Sequence, residues 1–152
     1  MKASTLLFIC LALLLMNAKA DAVKPAVKAK TPVKHRPVPD DLTKNLEFDF
    51  CKAIVHASSN KQLDDLASYA IENNSAIALR GHADAIGTYV GNWKMSEKRA
   101  IAVKEYLVKK GVAGDKIITT PFGSTLPIAT NKTAAGRRHN RRVEIKLQDV
   151  KS

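Results

Sequence analysis

Only two cysteines occur in the 152 residues, and Cys10 lies inside an N-terminal apolar run, which leaves Cys51 as the one thiol of the chain that follows. A single cysteine closes no internal disulfide, so the fold must rest on its core, where Cys51 itself is expected to be buried. Metal-ligand spacing is missing too. His35, His56, His82 and His139 are scattered, and no cysteine pair supports them. No apolar run reaches the roughly 20 residues that cross a bilayer. No internal repeat is visible, and the length suits one domain with accessories.

Nucleophile motifs are lacking as well. His82 and Asp84 stand two apart on an expected strand, hence on one face, and Ser96 completes the list of a triad. No strand-turn-helix elbow or oxyanion-hole sequence surrounds Ser96, which reads more naturally as a helix N-cap. Gly111 to Lys116 follows a helix instead of linking strand to helix, so it is a helix stop and a turn, not a phosphate loop. The reading is a non-enzymatic chain with no catalytic residue, cofactor or metal.

What is present falls into three parts. Residues 1–20 carry Lys2, an apolar stretch from Leu6 to Met16, and Ala18-Lys19-Ala20 at a cleavage site. This is the pattern of a secretory signal. Cys10 lacks the small residues that precede a lipidated cysteine, so cleavage after Ala20 without a lipid anchor is expected. Losing residues 1–20 removes Lys2 and Lys19 and no acid, leaving 23 basic against 14 acidic residues, a charge of +9. Such a surplus attracts polyanions. Export makes nucleic acid the least suitable of them.

Residues 21–41 hold four prolines and spaced lysines without a large apolar side chain. They read as a polyproline-like linker, reaching on the order of 60 Å at about 3.1 Å per residue. A basic arm that grips an anionic surface is the other reading.

Residues 42–149 carry α+β patterning. Leu46, Phe48 and Phe50 alternate as a first strand, and Ser59 with Gln62 matches a capping box ahead of Leu63, Leu66, Ala67 and Ala70. Ile77, Leu79 and Gly81 alternate as a second strand. A second helix is expected to begin near Ser96, with Ala100, Ile101, Val103 and Leu107 as its apolar face and Gly111 at its end. Residues 116–120 form a third strand, and Val143, Ile145 and Leu147 mark the last. The order β-α-β-α-β-β predicts a four-stranded mixed sheet with helices on one face.

The chemistry concentrates in Gly81 to Gly87 and Asn92 to Ala100. With a helix starting at Ser96, Lys98 and Arg99 would oppose its dipole, which favours anions at its start. Asp84 could compensate by pairing with Arg99, or an anionic ligand could be held by Arg99 and the free amides. One carboxylate and one guanidinium suit a zwitterion. A plain salt bridge fastening loop to helix is the alternative.

These residues resemble the OmpA-like family of porin tails, peptidoglycan-associated lipoproteins and flagellar motor stators. The family pattern runs T-D-x-x-G, Asn, L-S-x-x-R-A, then N-R-R-V-E-I. Here it reads Asp84 and Gly87, Asn92, Met95-Ser96 with Arg99-Ala100, and Asn140 to Ile145, within residues 44–148. The resemblance implies binding of the peptidoglycan stem peptide through its diaminopimelate, held by Asp84 and Arg99, with Asn92 shaping the pocket and Arg141 as a second arginine. It implies a periplasmic protein at the wall or outer membrane of a Gram-negative type envelope, and similar domains sometimes dimerise. Three positions depart from the pattern. Ala83 replaces threonine, Gly91 stands where tyrosine is common, and Pro121-Phe122-Gly123-Ser124 lacks the usual acid. His82 is expected near the rim of the site.

Two other readings remain. Arg137, Arg138, Arg141 and Arg142 with the linker lysines would make a nonspecific polyanion binder, or else a solvated loop leading into the last strand. Alternatively, a wall-associated scaffold presents residues 21–41 to another envelope protein.

Overall fold

The computed structural model describes residues 38–148. The expected signal, residues 1–20, and all but the last four residues of the expected linker lie outside this span. Those four enter the fold: Val38 packs against the core, and Asp40–Thr43 form a 3-10 turn that buries Leu42.

The sheet comprises β1 (Leu46–Glu47), β2 (Ala76–Gly81), β3 (Ile117–Pro121) and β4 (Arg142–Gln148), in the order β1-β4-β2-β3. β2 pairs parallel with β3 and antiparallel with β4, which in turn pairs antiparallel with β1. Period-two alternation directs Ile77, Leu79, Ile117, Val143 and Ile145 to one face. There they meet Leu63, Leu66, Ala67 and Ala70 of α1 (Asn60–Glu72) and Ala100, Val103 and Leu107 of α2 (Tyr89–Lys109). The mixed α+β sheet expected from the pattern is thus the observed architecture. One element was not expected, a short α3 (Ala134–Asn140) in front of β4.

Both long helices end on the same backbone device. After α2, Gly111 takes φ 97°, and the amides of Gly111 and Val112 donate to the carbonyls of Val108 and Leu107. After α1, Asn74 takes φ 54°, and Asn74 and Ser75 donate to Ile71 and Ala70. This double bond pattern satisfies carbonyls that a helix end leaves bare.

Local details differ from the sequence reading. β1 stops after two residues because Phe48 turns into the core while Phe50 is left half-exposed. Cys51, expected inside, is exposed at φ 53°. Ser59 precedes α1 without making a side-chain cap; Gln62 instead donates to the carbonyls of Lys44 (2.8 Å) and Leu42 (3.4 Å), tying α1 to the incoming chain. Ile101 stands outside the apolar face of α2, at 39% exposure.

The largest difference is the start of α2. Thr88 caps it through a bond from the Gly91 amide (3.1 Å), so the helix begins two turns before Ser96. Ser96 is interior and buried, its hydroxyl donating to the Trp93 carbonyl and accepting from the Gly123 amide. Lys98 and Arg99 are therefore not in the first turn, and their conflict with the dipole disappears.

Gly81 lets α2 approach β2 closely. A Cβ there would stand 1.9 Å from the Ser96 carbonyl oxygen. Gly81→Ala is expected to push α2 off the sheet and cost about 1–3 kcal/mol, as overpacked contacts do. Thermal denaturation measures it; an unchanged midpoint would contradict this packing.

Candidate functional site

Three segments deliver four side chains to the end of the sheet where β2 finishes. The turn after β2 carries Asp84, the first turns of α2 carry Asn92, and Arg99 follows two turns on. Arg141 sits between α3 and β4. All four line one cleft of about 240 Å³, together with Phe50, Cys51, Ile86 and Met95 among others. A larger hollow of about 480 Å³ lies along β4 beside Val38, Asp40 and Lys146, but it is shallower and joins no pair of buried charges.

The charges do not pair as the sequence suggested. Asp84, 3% exposed, takes its ion pair from Arg141, Nη1 to Oδ2 at 2.9 Å, and its Oδ1 accepts from the Ile86 amide at 3.0 Å. Arg99, 1% exposed, donates instead to three carbonyls: Lys52 (3.1 Å), His82 (2.9 Å) and Asp49 (3.1 Å). It therefore fastens the 49–52 turn to the end of β2. Burial, and then the neighbouring Arg141 charge, pull its guanidinium down to about 10, still cationic at neutral pH.

This arrangement leaves capacity for a ligand. A guanidinium has five N–H donors, and three of those on Arg99 are occupied. Each oxygen of Asp84 accepts one hydrogen bond where it can accept about two. Asp84 and Arg141 neutralise one another, so the Arg99 charge is in surplus. A ligand carboxylate would complement that surplus, and a ligand ammonium would find unused lone pairs on Asp84. Asn92 is 8% exposed, and only a long 3.5 Å contact to the Ser124 hydroxyl engages its amide nitrogen.

A second tier of residues, not legible from spacing, holds the Asp84 turn. Asn131 Oδ1 accepts from the Ala85 amide at 3.1 Å and from Asn140 Nδ2 at 2.9 Å. Asn140 is fully buried and also grips Ile128 and Ala129 through their amides and the Ala129 carbonyl. The first residue of the N-R-R-V-E-I segment thus anchors a loop, while the second reaches the cleft.

The third, Arg142, is also not a solvated cation. It is 1% exposed, bound to Glu144 at 2.5 Å and to the Leu126 carbonyl at 3.2 Å. Arg138 and His139 pair with Glu47, and Arg137 caps the carbonyls of Asn131 and Lys132. The arginine-rich stretch is a helix and a strand start, not a loop of free charges.

His82 lies on the opposite face of the sheet from the helices, not at the rim. It is 1% exposed and stacked on Phe122 at 5.3 Å, with neither ring nitrogen hydrogen-bonded. Among the described residues no group of His, Cys, Asp or Glu is placed to hold a metal ion, and no helix is long and apolar enough to cross a membrane.

Comparison with known proteins places this geometry in a class. Residues 47–141 match the OmpA family, and the chain belongs to it. It is 46% identical over 102 residues to Outer membrane protein A of Bordetella avium, an alignment spanning 66% of this chain and 52% of that protein. It is 46% identical over 72 residues to Peptidoglycan-binding protein ArfA of Mycobacterium tuberculosis, spanning 47% of this chain and 22% of that one. The solved peptidoglycan-associated lipoprotein of Burkholderia pseudomallei superposes with a TM-score of 0.67 at 28% identity, over 68% of this chain and 89% of that structure. The chain thus spans about half the length of the Bordetella relative and less of the mycobacterial one.

Proposed function

We propose that this chain binds bacterial peptidoglycan non-covalently through the diaminopimelate of its stem peptide and so holds itself at the cell wall. The observation that carries the reading is one cleft lined by Asp84 and Arg99, the first with unused acceptor sites and the second with an unneutralised charge. In this reading Asp84 accepts from the ligand ammonium and Arg99 takes its carboxylate. Arg141 fixes the Asp84 carboxylate, and Asn92 supplies a side-chain amide at the wall of the cleft. Binding of this kind asks for no nucleophile, metal or cofactor. The named roles of the mycobacterial and Burkholderia relatives support the same reading, and residues 1–20 suit it as an export signal with residues 21–37 as a spacer ahead of the folded part.

Charge-assisted hydrogen bonds contribute roughly 1.5–3 kcal/mol each. Two or three of them, offset by immobilisation, give single-site dissociation constants of about micromolar to millimolar. The wall is a repeating polymer, so retention does not require more.

Co-sedimentation with purified peptidoglycan tests the reading. Asp84→Asn keeps the shape and the Ile86 bond but removes the negative charge, and is expected to weaken binding about tenfold or more. Retention equal to the parent would remove Asp84 from the site. A nonspecific polyanion binder would release the wall as salt rises, whichever residue occupies the stem peptide. The pairing of Arg138 and His139 with Glu47 and the burial of Arg142 leave that alternative few free cations on this segment.

A further inference from the structure

The chain has one tryptophan, and the fold leaves it at the surface. Trp93 is 39% exposed and Tyr89, one helical turn before it, is 63% exposed. Their ring centroids are 6.0 Å apart with planes tilted by 32°. Large aromatic rings ordinarily supply core area, and exposed apolar clusters mark places of contact. These two stand apart from the buried face of α2, which runs through Asn92, Ser96, Arg99, Ala100, Val103 and Leu107.

Their position connects them to the cleft. The start of the same helix contributes its cap Thr88 together with Gly91 and Asn92 to the lining. The turn after β3 closes against the Trp93 backbone, with the position of a Gly123 Cβ falling 3.4 Å from the Trp93 amide nitrogen, and the next residue, Ser124, reaches Asn92. The cleft and the rings thus share one helix end.

We infer that Tyr89 and Trp93 form a saccharide subsite, which takes a sugar ring of the glycan to which the stem peptide is joined. The inference rests on the cleft receiving the stem peptide. A pyranose presents an apolar C–H face and keeps its hydroxyls at the edge. An aromatic ring offers an apolar face to match, and the indole N–H and phenol O–H add polar contacts at their rims. The reach also fits. A helix is about 10–12 Å across, and three extended residues span roughly 10 Å. A diamino acid seated in the cleft therefore has the sugar end of its peptide within reach of the rings.

The single tryptophan serves as the reporter. The full chain is titrated with a disaccharide-tripeptide released from peptidoglycan and, separately, with the same tripeptide lacking sugars. Intrinsic fluorescence of Trp93 is followed alongside calorimetric affinity. The expected result is a fluorescence shift with the disaccharide-tripeptide only, and a higher affinity for it. Tyr89→Ala and Trp93→Ala are expected to lose about three- to tenfold of that affinity, with Trp93→Phe retaining most of it. All three variants should bind the bare tripeptide as the parent does. Equal loss on both ligands, or no loss on either, overturns the subsite while leaving the cleft intact. If the parent binds neither ligand, the reading of the cleft falls first and the subsite with it.

Discussion

Arg99→Met is expected to abolish detectable wall binding and to lower stability by about 3–5 kcal/mol, because it breaks a buried hydrogen-bond network. The guanidinium serves two ends. Its three hydrogen bonds hold Asp49, Lys52 and His82 through their carbonyls, and its guanidinium lies over the Phe48 ring, 5.7 Å from the centroid. Methionine fills much of the volume but leaves those carbonyls bare, at roughly 1–3 kcal/mol for each that water does not reach. At about 4 °C per kcal/mol for a domain of this size, the midpoint should fall by roughly 10–20 °C. Arg99→Lys separates the two roles. It keeps a positive charge, so some attraction for a ligand carboxylate remains, but an ammonium does not fork across three acceptors. Thermal denaturation with a parallel wall-sedimentation assay measures both effects. If Arg99→Met melted with the parent, the 49–52 turn would not depend on this residue, and its burial would need another cause.

The sheet was legible because its signal is additive. Ile77 with Leu79, and Val143 with Ile145, each alternate over enough residues to declare a face, and Gly111 marks a helix end by the φ that only glycine adopts freely. The start of α2 was less legible because Thr88 and Ser96 are both good caps. What decides between them is tertiary: the Ser96 hydroxyl is drawn inward by the Gly123 amide, a residue 27 positions away in sequence. With the start at Tyr89, Arg99 lies in the third turn, where the dipole at the helix start does not oppose its charge. α3 escaped notice because Ala134 to Asn140 is short and dominated by arginine and histidine, with only Gly136 and Asn140 buried.

The candidate site was legible as a set of residues and not as a set of bonds. Asp84, Asn92, Arg99 and Arg141 do line one cleft. Yet the choice of Arg141 as the partner of Asp84 depends on a contact across 57 positions, and local spacing carries no trace of it. Cys51 and Phe50 were misplaced for a related reason. Continuing the alternation of β1 past Phe48 would bury one of them, whereas the carbonyls of Asp49 and Lys52 are claimed by Arg99 and the chain turns outward. A buried guanidinium on one helix thus overrides the strand propensity of a segment nearly fifty residues earlier.

Acidification should reveal the second buried polar group. His82 is enclosed without a hydrogen bond, and burial, then the Arg142 charge, depress its imidazole from 6.5 to about 4, with Glu144 opposing and Arg80 assisting. The nearest carboxylate oxygen, on Glu144, is 3.4 Å away but poorly aligned. Between pH 6.5 and 4 the unfolded chain binds a proton here that the native chain refuses, so stability is present above the window and is lost as pH falls through it. A depression of that size makes the full loss approach about 3 kcal/mol. Glu144 also sits below its usual value: burial raises it, but the Arg142 bond and the nearby cations more than offset that. Its stability is lost only below its ordinary value of 4.5, so of this pair only the histidine acts between pH 4.5 and 6.5. In that range His82→Leu should flatten the decline in melting temperature while keeping an apolar contact with Phe122. Should the variant decline as steeply as the parent, another group takes up the proton, and the depressed imidazole between Phe122 and Glu144 is not the source of acid sensitivity.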